Sequence, residues 1–155
     1  MSSARAQANH SLYLAKIQLA SWQRALAAQD IPAATLTQAF LPGVREHLRR
    51  AYGWFLLAVS AAEQPCEPPP RDCAELSAVA QGKAVPPEIR EFQQLEGSGW
   101  LAELLSDGAA QVQAGRVRGN LATATLESPG FEQTEHWLQN LQALFDRMSD
   151  SLDEY

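Results

Sequence analysis

The chain has 155 residues, with 26 Ala and 20 Leu against nine Ile and Val together. That ratio disfavours a sheet protein, because Ala and Leu lead the helix scale while strands want β-branched side chains, and two cysteines are too few for a disulfide scaffold. The net charge of −6 is divided unevenly: residues 1–62 hold six Lys/Arg and two Asp/Glu (+4), residues 63–155 six and sixteen (−10), which prompts a search for an interaction surface.

The first predicted helix begins near Ser3 and fades at Ala28–Gln29. Leu12, Ala15, Leu19, Trp22 and Leu26 recur at spacings of 3, 4, 3 and 4, which keeps them on one face, and Tyr13, Ile17 and Ala20 are read as widening it. Asp30 is expected to cap a second helix, with Pro32 in its first turn; so short a turn folds that helix back antiparallel. The second helix runs to about Glu63, and Pro42-Gly43 predicts a kink or break near Leu41. Val44, Leu48, Ala51, Tyr52, Phe55 and Val59 form its core stripe, but Trp54 and Leu57 fall outside that stripe. From Ala51 to Ala62 the helix is thus apolar over most of its circumference: it is central to the bundle, or part of it meets another chain.

These twelve residues are too few to cross a membrane, which takes about 20. Polar residues interrupt every apolar stretch near the start, so neither a secretory signal nor a membrane association is expected, and the reading is cytoplasmic.

Pro65 to Pro70 (PCEPPP) reads as a stiff connector, dividing a single domain, 1–155, into a hairpin (1–63), the connector (64–71) and the remaining helices (72–155). Asp72 is expected to cap a short helix ending at Gly82, and Pro86-Pro87 to open another carrying Ile89, Phe92 and Leu95. Gly97 and Gly99 interrupt it, and Ser98 is expected to recap the chain before Trp100, Leu101, Leu104 and Leu105. The helical period is lost over about 115–128, where 121–126 alternates as a short strand would. Ser128-Pro129 starts a last helix, with Leu138, Leu141, Phe145, Met148 and Leu152 inward and Trp137 and Leu144 at the edges. The expected fold is all-α: a four- to five-helix bundle with an N-terminal antiparallel hairpin and one irregular loop.

No catalytic, cofactor or metal residues are expected. His47 and His136 follow Glu46 and Glu135 directly, and Glu132 to His136 is one turn, but neither pair has the Glu-x-x-His spacing of a di-metal bundle. Cys73, at a helix start that would lower its pKa, is a better candidate for reactivity than Cys66, although no His is placed near it. Arg45 and Arg49 share a helix face near Tyr52 and Trp54, and with Arg118 they are the candidates for anion binding. Against nucleic acid stands the acidic balance of the whole chain; the competing reading pairs these arginines with carboxylates of the acidic half.

One spacing is similar to that of the HEPN family of small helical nucleases and nucleotide-binding helpers: Arg5 precedes His10 at the lower limit of their Arg-then-His motif. It lies at the extreme N-terminus, and no Arg precedes His47 or His136 in that way, so the activity is not carried over. Over most of its length the chain resembles an uncharacterised family of small gammaproteobacterial proteins, a domain of unknown function, in Tyr13-Leu14-Ala15, in Arg49-Arg50-Ala51-Tyr52-Gly53-Trp54-Phe55 and in Trp100-Leu101. That resemblance implies a bacterial cytoplasmic protein and supplies no activity or site residues. The function expected is a non-enzymatic bundle that docks on a protein partner or on itself, with Trp54 and Leu57 as the candidate interface; the alternative is nucleic-acid or anion binding through the arginines.

Overall fold

In the computed structural model the described residues are 3–60, 69–75, 87–106 and 130–153, with side chains described as far as 150. The fold is all-α. Five helices are described: α1 (Ala4–Ala28), α2 (Ala33–Val59), α3 (Pro87–Gly97), α4 (Trp100–Leu105) and α5 (Phe131–Asp153), and residues 73–75 are helical as well. No strand occurs among the described residues; the stretch 115–128, with its possible strand at 121–126, lies outside them. No described helix is long and apolar enough to cross a membrane.

Local chemistry sets the helix ends, in several places differently from expectation. Ser3 Oγ accepts from Ala6 N at 3.1 Å, and Gln29 closes α1 in the left-handed region with its N–H on Leu26 O. Asp30 does not cap α2; Pro32 stands at that position and supplies no side-chain bond. α2 runs unbroken through Pro42, which is exposed, so the backbone acceptor that a proline leaves without its bond lies on the side open to water. Ser98 does not recap the chain before α4: Gly99 does, at φ 95, a conformation glycine adopts without strain. Asp72 caps as expected, its Oδ1 accepting from Glu75 N at 3.0 Å.

The core runs through both ends of the hairpin. Near the turn, Trp22 of α1 stacks on Phe40 of α2 and meets Phe131 of α5 edge-on. Farther along α2, Phe55 stacks on Phe145 of α5 at 4.0 Å and meets Phe92 of α3 edge-on, with Tyr52 against the same Phe92. α2 is thus the central helix, and every residue from Ala51 to Leu57 is buried. At Gly53 a Cβ would stand 2.2 Å from Pro70 O, so the buried connector end, Pro69-Pro70, lies where any side chain would project.

Candidate functional site

Trp54 and Leu57 are core, not interface. They are 3% and 1% exposed within a single chain, because an apolar circumference at the centre of a bundle is covered from every side. The aromatic anchor expected of them on the surface does not exist.

The arginines of α2 are equally committed inward. Arg45 is buried, donates from Nη2 to Glu103 O at 3.0 Å, and holds its guanidinium 5.1 Å over the Trp137 ring. Arg49 donates from Nε to Leu104 O at 3.2 Å and from Nη2 to Leu105 O and Ser106 O. A helix of six residues leaves its last carbonyls short of intrahelical donors. The guanidinium of Arg49 takes up those of Leu104 and Leu105 and that of Ser106 just beyond, and Arg45 adds a donor to Glu103 O, which also accepts from Ser106 N and Oγ. Positive charge also suits the negative end of a helix dipole. The residues proposed to grip an anion therefore cap α4. The expectation that they face carboxylates of the acidic half is corrected for Arg49, whose partners are carbonyl oxygens. The ion pair between Arg147 and Glu91 joins α5 to α3 and lies wholly within that half. Arg118 lies outside the described residues.

Cys73 belongs to a buried polar cluster. Glu96 accepts from the Tyr52 hydroxyl and from Cys73 N, and Tyr52 Oη lies 3.8 Å from Cys73 Sγ. Burial first, and then the Glu96 carboxylate, push the thiol up to about 12, the reverse of the expected effect of the helix start; burial raises the Tyr52 phenol as well. Both shifts favour the protonated form at neutral pH, which weakens either group as a nucleophile. His47 is held below its ordinary value by partial burial and by Arg50, with Glu46 opposing. No group of three or more potential metal ligands occurs among the described residues.

A shallow cleft of about 800 Å³ lies between α2 and the connector, lined by Glu46, Arg49, Arg50, Arg71, Asp72 and Glu75 among others. Its three cations and three anions leave no net preference for either sign; the Glu75 carboxylate already accepts from Arg71 N, and Asp72 Oδ1 already accepts from Glu75 N.

What remains outward and apolar lies on α1. Tyr13 is 59% and Ile17 45% exposed, and Ile31, in the turn beyond, 47%; these are the large hydrophobic side chains exposed among the described residues. Tyr13, Ile17 and Ala20 thus do not widen the buried stripe, as expected of them, but form a second stripe turned away from it. Ala6, His10, Tyr13, Ile17, Ala20, Arg24 and Ala27 are all exposed and recur at spacings of 4, 3, 4, 3, 4 and 3. The sequence carries this signal: Tyr13 and Ala20 follow Leu12 and Leu19 by one residue, and Ile17 and Arg24 follow Ala15 and Trp22 by two, which sets this row nearly opposite the buried one. Comparison with family models, curated proteins and solved structures gives no match to this chain.

Proposed function

We propose that this chain is a non-enzymatic interaction protein of the bacterial cytoplasm, a helical bundle that presents the outer face of α1 to a protein partner. One observation carries the reading: the exposed large hydrophobic side chains of the described residues all lie at positions 13–31, and two of them share one face of α1. The commitments elsewhere agree with it. Arg45 and Arg49 cap a helix, and the thiol and phenol of the polar cluster are held protonated, so neither group recommends anion binding or covalent chemistry. The resemblance to an uncharacterised gammaproteobacterial family is compatible with this function, since it implies no activity.

The test is comparative affinity capture, with the wild-type chain and a Tyr13→Glu/Ile17→Glu variant as baits in a bacterial lysate. Loss of the captured proteins with the variant supports the α1 face. An identical set on both baits overturns it.

A further inference from the structure

We draw no further inference here: the strongest candidate, the outward face of α1 around Tyr13 and Ile17, already carries the proposed function, and nothing in the structure shows what covers it.

Discussion

The two helices of the hairpin are close in length, 25 and 27 residues, and both are rich in apolar side chains, yet they use them differently. α2 is enclosed: from Ala51 to Leu57 every residue is buried, and Arg45 and Arg49 reach from its flank to another helix. α1 has two stripes about 150° apart, one against the core and one against water. A side chain on the enclosed part of α2 therefore answers to stability, and one on the outer stripe of α1, on the function proposed above, answers to association.

Substitutions can break or sharpen that contrast. Trp54→Ala should have the largest effect, about 3–5 kcal/mol of destabilisation in a denaturant titration, because it empties a core position. A change below 1 kcal/mol would return Trp54 to the surface. Arg49→Met comes next: it keeps the length of the side chain but leaves the last carbonyls of α4 without donors, at about 2–3 kcal/mol, and hydrogen exchange should rise selectively over 100–105.

The two glycines of α2 form a smaller pair. Gly53→Ala drives a methyl group into the backbone of Pro70 and should destabilise by about 1–2 kcal/mol even after the gain in helix propensity. Gly43→Ala meets only the movable amide end of Gln18 and should stabilise by about 0.5 kcal/mol. Equal effects at the two positions would show that Pro69-Pro70 does not lie against α2. Tyr13→Glu should change stability least, within about 0.5 kcal/mol, while abolishing association.

pH supplies a further check on the enclosed side. Cys73 keeps its proton to about 12 in the folded chain against 9.0 in the unfolded one, so the folded state binds more protons between those values. The contribution is complete below pH 9 and is lost as pH rises towards 12, and the raised Tyr52 phenol acts in the same direction above pH 10. Thermal scans from pH 8 to 11 should show a falling midpoint, and Cys73→Ala should flatten the part of the fall between pH 9 and 10, leaving that of Tyr52 above it.

The inner stripe of α1 is legible in the sequence because a period of 3.6 records a buried face directly. On α5 the expected stripe is displaced: Trp137 and Leu144, expected at its edges, are core beside Leu141, Phe145 and Met148, and Leu138, expected inward, is half-buried. The enclosed segment of α2 was legible only in part. An all-round apolar stretch says that a helix is surrounded, but one chain and two chains surround it equally well, so Trp54 and Leu57 could be read as core or as interface. The roles of Arg45 and Arg49 were hidden for a different reason. Their acceptors are backbone carbonyls more than fifty positions away, and a carbonyl has no letter in the sequence. Tyr13 and Ile17 count towards the inner stripe in the sequence because apolar residues next to an apolar stripe look like its edge; one position beyond Leu12 and two beyond Ala15, they centre a face on the opposite side of the helix. A single-residue offset tells core from surface at Leu12 and Tyr13.

The capping of α4 also bears on the order in which the chain assembles. Six residues are too short to hold a helix alone, and the donors that complete this one arrive from α2 across a large loop of chain. The hairpin of α1 and α2 closes through a short turn and can form early, whereas α4 waits for a surface to settle on. Arg49→Met should therefore accelerate unfolding while leaving the refolding rate nearly unchanged, so that the clamp acts as a late latch on a nucleus already built.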